Sequence, residues 1–209
     1  MIIAVVSNPS NFHGEADAVL ALFREGLEYF HLRKPDMNAE QTSEWLNNIP
    51  GEFHHRIIIH RHYSLLSRFG LKGIHVPFDL IGQFSDDVKG HISVSCHNTG
   101  ELFSIDSKTE YAFLSPVFDS ISKPDYKSAF DLASLKTFFN RNRLKTKVLA
   151  LGGIDNTGAV KAIHAGFDGI ALLGYIWKEC LRSGKAGSAV QHYSNILNAI
   201  ENSINIILR

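Results

Sequence analysis

Leu149-Ala150-Leu151-Gly152-Gly153-Ile154 reads as a buried strand running into a bare glycine turn. Gly166-Phe167-Asp168-Gly169-Ile170-Ala171 reads as the next strand, and Asn156 to about Ala165, between them, has the pattern of a helix. A strand, a tight turn, a helix and a second buried strand make the unit from which parallel sheets are built. Two adjacent glycines ahead of a helix let backbone N–H groups approach an anion, and the helix dipole adds partial positive charge there. The same pair also serves a tight turn with no ligand at all. In a β/α barrel the loops after the seventh and eighth strands form a phosphate pocket, so the place of this unit in the chain matters.

Outward from it, short apolar runs alternate with helical patterns from end to end. The strands are expected at Ile2–Val6, Tyr29–Arg33, Arg56–His60, Gly73–Val76, Ile92–Ser95, Tyr111–Leu114, Lys147–Leu151 and Gly169–Leu172. None alternates cleanly between apolar and polar residues, as fits strands covered on both faces. Helices are expected at Ala16–Glu25, Ala39–Asn48, Tyr63–Phe69, Asp131–Asn140 and Ala189–Ile200, with Asn98 and Glu101 opening another in the manner of a capping box. Gly26, Gly70 and Gly166 stand where helix C-caps belong. The weak link lies between Val76 and His91, where only Asp79–Gly82 and Ser85–Val88 have helical character. Eight such units in 209 residues favour a single TIM (β/α)8 barrel of the α/β class, one domain over residues 1–209. An open doubly wound sheet is the alternative.

The formal net charge is zero and no run of Lys or Arg occurs, which argues against a nucleic-acid partner. No apolar stretch approaches the roughly 20 residues of a membrane span, and the N-terminus reads as a strand rather than a signal peptide. Cys96 and Cys180 lack metal-ligand spacing and read as free thiols. A cytoplasmic protein is expected; association into a homo-oligomer is left open.

In a barrel the chemistry sits just after the C-terminal ends of the strands. Those positions hold Ser7 and Asn8, His31 to Lys34, His60 to His62, His75, Ser95 to His97, Ser115 to Lys123, Gly152-Gly153 and Gly174. Lys123, with the hydroxyls of Ser120 and Ser122, suits a phosphate or diphosphate, although such loops are as often simply solvated. Arg33 can fork onto an anion or pair with Asp36. His97 can move protons near neutral pH or merely serve the following helix. His60 and His62, read onto opposite faces of a strand, are not taken as a metal pair.

In order, His31-Leu32-Arg33, Gly73-Ile74-His75, Ser93-Val94-Ser95-Cys96-His97, Ser115-Pro116-Val117-Phe118 with Lys123, Leu149–Ile154 and Gly166–Ala171 resemble the thiamine phosphate synthase/TenI superfamily over nearly the entire chain. The resemblance implies a thiamine-biosynthesis barrel holding thiazole phosphate at its rim. It implies that Gly152, Gly153 and Gly174 serve the phosphate, that Arg33, Ser120, Ser122 and Lys123 face substrate and diphosphate, and that Ser95 and His97 lie by the reacting centre. Synthases of this kind ionise a pyrimidine diphosphate with Mg2+ and join the cation-like carbon to the thiazole nitrogen. TenI-type tautomerases shift a proton on carboxythiazole phosphate with a histidine and no cofactor.

Departures from the synthase pattern stand beside the resemblance. Arg-Glu-Lys after the second strand appears as Arg33-Lys34-Pro35, and Asn-Asp after the third as His60-Arg61, a cation where a magnesium ligand is expected. After the fourth strand only Asp79 remains of the acidic residues, a weak metal candidate, and a serine of the last turn appears as Gly174. Three readings follow: a thiamine-phosphate synthase, a metal-independent tautomerase, and a non-catalytic barrel that binds thiazole or thiamine phosphates. An unrelated aldolase or epimerase is disfavoured, since no strand-end lysine is placed for a Schiff base.

Overall fold

Among the described residues, eight short parallel strands close on themselves in chain order, the first pairing with both the second and the eighth. The computed structural model describes residues 1–84, 90–119, 128 and 130–207, the last two by backbone alone. The strands are β1 (Ile2–Val6), β2 (Tyr29–Leu32), β3 (Ile57–Ile59), β4 (Gly73–Pro77), β5 (His91–Cys96), β6 (Tyr111–Leu114), β7 (Lys147–Leu151) and β8 (Gly169–Leu172). Between and after them run α1 (Glu15–Arg24), α2 (Ala39–Asn47), α3 (Leu65–Phe69), α4 (Thr99–Ser104), α5 (Leu132–Arg141), α6 (Asn156–Ala165), α7 (Gly174–Ser183) and α8 (Gly187–Ile207). Short 3-10 helices occupy Gly51–Arg56 and Phe78–Gln83. The barrel closes with Ile2 opposite Gly169 and Val5 opposite Leu172, which excludes the open sheet.

The two-residue period of a strand sorts side chains into two cores. Ile3, Val5, Phe30, Ile57, Ile59, Ile74, Val76 and Val94 pack outward with helix residues such as Val19, Leu22 and Ile196. Ile2, Ala4, Val6, Ile58, Tyr111, Phe113, Leu149 and Ala171 fill the interior. Both faces of each strand are therefore dry, the physical reason the sequence shows near-continuous apolar runs.

Helix starts follow local chemistry. Asn38 and Gln41 form a full capping box on α2, which the sequence reading overlooked. Asn98 accepts from the Glu101 N–H, but the Glu101 carboxylate reaches the His97 N–H rather than closing the box on Asn98. Gly70 and Gly166 end α3 and α6 in the left-handed conformation, and Gly26 follows α1 with φ 93°.

Several boundaries differ from expectation. β2 stops at Leu32 and β3 at Ile59, so Arg33 and His60 belong to the loops. α3 begins at Leu65 rather than Tyr63, and the last helix is longer than expected at both ends. α7 was not anticipated: it opens on Gly174 with no side-chain cap, so no start signal marks it, although Tyr175, Ile176, Trp177 and Cys180 line one buried face. The Asp79–Gly82 expectation becomes the 3-10 helix, and Ser85–Val88 lies outside the described residues.

Candidate functional site

At the C-terminal mouth of the barrel lies a cavity of about 550 Å³. It brings together Arg33, Asp79, Ser95 and His97 from the expected set, with His60, His75 and Arg61 beside them. Arg33 is positioned from behind by buried Ser7, whose hydroxyl donates to the Arg33 carbonyl (3.0 Å) and accepts its N–H (2.8 Å). The Arg33 side chain itself is exposed. His97 is held by its backbone N–H on Glu101 Oε2 (2.6 Å) and its ring Nδ1 on the Ser115 carbonyl (3.1 Å). A carbonyl only accepts, so Nδ1 carries the proton and Nε2 keeps a lone pair, the form a general base needs. Burial pushes the Cys96 thiol up to about 12, so it is no nucleophile at neutral pH.

Lys34 is not available to an anion. Its Nζ lies 2.5 Å from Glu15 Oε2 and donates also to the Asn8 and Ser10 carbonyls (2.8 and 3.3 Å). This ammonium ties the β2 end to the start of α1. Arg61 lines the cavity and donates from Nη1 to the Pro35 carbonyl.

Beneath the cavity the barrel interior is polar on one side. His31 Nδ1 is 3.0 Å from His60 Nε2, and His31 Nε2 is 2.7 Å from the Tyr111 hydroxyl. His75 Nδ1 and Nε2 each lie 2.8 Å from a serine oxygen, of Ser93 and Ser95 respectively. Desolvation is the main cause that holds His31 and His60 well below the usual imidazole range; the crowded imidazoles further disfavour charging one another, and for His60 the Arg33 guanidinium adds to this. The same burial takes His75 down to about 3. All three are neutral at physiological pH. The sequence reading had noted His31 and His75 as rim residues without giving them a role. The available signal was a histidine at inward parity on otherwise apolar strands, Tyr29–Leu32 and Gly73–Pro77.

The expectation for His60 and His62 was reasoned wrongly, because residues two apart on a strand share a face. What separates them is that β3 has already ended. His60 turns inward, while His62 adopts φ 55° and its Nε2 meets the Met37 carbonyl at 2.8 Å.

The glycine turn lies outside the lining of this cavity. Val117 and Phe118 donate to the Leu151 and Gly152 carbonyls, so the segment after β6 runs along the turn. A Cβ on Gly153 would stand 2.2 Å from the Asp119 carbonyl oxygen and 2.7 Å from Phe118 Cβ, at φ 64°. The bareness of Gly153 thus serves protein packing on that side. Asp155 caps α6 through the Gly158 N–H (2.8 Å), whereas α7, which starts at Gly174, has no side-chain cap. Ser120, Ser122 and Lys123 fall outside the described residues.

The donor set does not fit a protein-held Mg2+. That ion wants hard oxygen ligands in octahedral array, and among the described residues the cavity offers one carboxylate, Asp79, beside guanidinium and imidazole groups. Arg61, at the position where the resemblance implies a magnesium ligand, offers a cation instead.

A family profile described as thiamine monophosphate synthase matches residues 3–176. The thiamine-phosphate synthase of Oceanobacillus iheyensis is 28% identical over 163 residues, 72% of this chain and 78% of that protein. That of Listeria innocua is 24% identical over 190 residues, 82% and 84% of the two chains. The crystal structure of thiamine phosphate pyrophosphorylase from Bacteroides thetaiotaomicron superposes with a TM-score of 0.80 at 30% identity, covering 96% of this chain and 98% of that one.

Proposed function

From the premise that the chain belongs to the thiamine monophosphate synthase family, we propose that it is a transferase of thiamine biosynthesis that makes thiamine phosphate at the barrel mouth. The observation that carries the reading is the cationic cavity itself, with two guanidiniums, Arg33 and Arg61, beside Ser95 and His97. In the proposed reaction the carbon–oxygen bond of a pyrimidine methyl diphosphate breaks, its electron pair leaving with diphosphate. The thiazole nitrogen lone pair then bonds to that carbon. Such a step needs positive charge aimed at the departing diphosphate more than it needs a base, and Arg33 and Arg61 are the residues assigned to it. The thiazole phosphate is assigned to backbone N–H groups at Gly152, Gly153 and the uncapped start of α7 at Gly174. Ser120, Ser122 and Lys123 are proposed to close over the diphosphate. No step is assigned to Mg2+. A cytoplasmic location is proposed from the two cysteines, both free and buried.

A second reading, the thiazole tautomerase, is favoured by the same lack of metal-binding carboxylates and by the lone pair on His97 Nε2. There, His97 would take a proton from one position of carboxythiazole phosphate and return it at another, with no cofactor. Incubation with pyrimidine diphosphate and thiazole phosphate, with and without added Mg2+, tests the two. Formation of thiamine phosphate with release of diphosphate is expected, weakened by Arg33→Ala. Isomerisation that survives EDTA and falls sharply in His97→Asn, without coupling, replaces the synthase by the tautomerase. Binding of thiazole phosphate with neither reaction leaves the non-catalytic barrel.

A further inference from the structure

The imidazoles of His31, His60 and His75 come from three neighbouring strands or strand ends and converge below the mouth cavity. One ring nitrogen of each lies within 4.8 Å of the others, the only such trio of potential ligands among the described residues. We propose that these histidines form a site for a borderline-soft divalent metal of the Zn2+ class, with its open coordination position facing the mouth cavity. The proposal stands whether or not the coupling reaction above does.

Geometry carries it first. Zn–N bonds of about 2.0–2.1 Å in tetrahedral array put ligand nitrogens roughly 3.3 Å apart and ring centroids roughly 5 Å apart. His31 Nδ1 and His60 Nε2 are 3.0 Å apart. The centroids of His31 and His60, and of His31 and His75, are both separated by 5.2 Å. Only the His60–His75 pair, stacked at 4.3 Å, must open, by about 1 Å. His60 lies beyond the end of β3 and is half-buried, so it is the ring with room to turn.

The surrounding groups orient the rings as metal ligands are oriented. A metal-bound histidine usually places its other N–H on an oxygen acceptor. The Ser93 hydroxyl donates to the Ile74 carbonyl (3.3 Å), so it accepts from His75 Nδ1–H and leaves the Nε2 lone pair to the Ser95 hydroxyl (2.8 Å), which a metal would displace. The Tyr111 hydroxyl stands on His31 Nε2, where it can accept that N–H and leave Nδ1 bare toward His60.

The site is also open on one side. His60 and His75 line the cavity whereas His31 is fully buried beneath it. Three imidazoles carry no charge to offset the ion, so the fourth ligand should be anionic. Hydroxide or a phosphoryl oxygen entering past Ser95 and Arg33 has that character. Imidazole nitrogen favours Zn2+, Co2+ or Ni2+ over Mg2+, so this is a different site from the oxygen-ligated one that the residues fail to build.

The test uses the full chain stripped with chelator and titrated with Co2+, whose tetrahedral complexes absorb in the visible, then displaced by Zn2+. One equivalent per chain is expected at micromolar metal. His60→Asn and His75→Asn should each weaken binding at least 100-fold. Tyr111→Phe should weaken it about 10–100-fold through lost orientation. His55→Asn, an exposed histidine elsewhere, should match the native protein. Absence of stoichiometric binding, or native affinity in folded His60→Asn, means that the trio is only a hydrogen-bonded layer of the barrel. Because buried variants can fail to fold, anomalous scattering from Zn2+-soaked native crystals gives a second test. A peak between the three rings supports the site, and metal bound only elsewhere overturns it.

Discussion

Replacing Lys34 by methionine should unfold this barrel more readily rather than simply weaken its grip on phosphate. The ammonium meets Glu15 Oε2 at 2.5 Å in side chains only 2% and 3% exposed, and two carbonyls complete its shell. Removing it leaves a buried carboxylate whose other oxygen, Oε1, already has no hydrogen-bond partner. Breaking one side of a buried pair costs about 3–5 kcal/mol. For a chain of this size each kcal/mol moves the midpoint by about 2–4 °C, so a loss of about 6–20 °C is expected. Glu15→Gln should cost less, since Lys34 keeps both carbonyls, and the double variant should recover most of the loss because no charge stays buried. The pH dependence has a definite sign. Burial raises the Glu15 pKa above 4.5, while the hydrogen bond and charge of Lys34 oppose it. Without Lys34 the folded-state pKa of Glu15 rises further, so the variant's deficit relative to the native protein grows as pH rises through the already raised native pKa of Glu15. Thermal unfolding by circular dichroism from pH 4 to pH 8 reads this directly. A native midpoint in Lys34→Met, with a raised KM for the diphosphate substrate, would show that Lys34 is a free anion ligand and refute the reasoning.

Gly153→Val places a branched side chain into the Asp119 carbonyl at φ 64°, and should cost about 2–5 kcal/mol in urea unfolding from overpacking and backbone strain. Normal stability with lost phosphate binding would instead assign the bare face to the ligand. Ser7→Ala strands the buried-side N–H and carbonyl of Arg33; a loss of about 1–3 kcal/mol is expected, and a KM for diphosphate substrate that stays native would show that Ser7 does not position Arg33. Asn98→Ala removes the cap on α4, with about 1 kcal/mol lost in the same assay, and an unchanged midpoint would mean that Glu101 alone holds the helix start.

The mouth was partly legible before the fold was known. Arg33, Ser95, His97 and Asp79 were expected at strand ends and do share one cavity. The Lys34–Glu15 pair was not legible, because the two residues stand nineteen positions apart on either side of β2. His31 and His75 carried no role because each, read alone, is one polar residue in an apolar run, and His60 was weighed only against His62. The packing of Phe118 and Asp119 against Gly153 was not legible, because that segment is more than thirty positions earlier.

Periodicity along the chain determined the barrel: eight runs dry on both faces, separated by helices with caps and glycine stops, admit few closed arrangements, and their order set which loops share a rim. These are local properties, carried by backbone propensity and by the need to bury apolar surface within one turn or one strand. Which polar groups meet inside that frame was decided only in three dimensions. Closure brings the ends of β2, β3, β4 and β5 to one rim, so a lysine meets a glutamate and three imidazoles meet one another. Those encounters depend on strand register and on where each strand stops, and a shift of one residue turns every side chain to the opposite face.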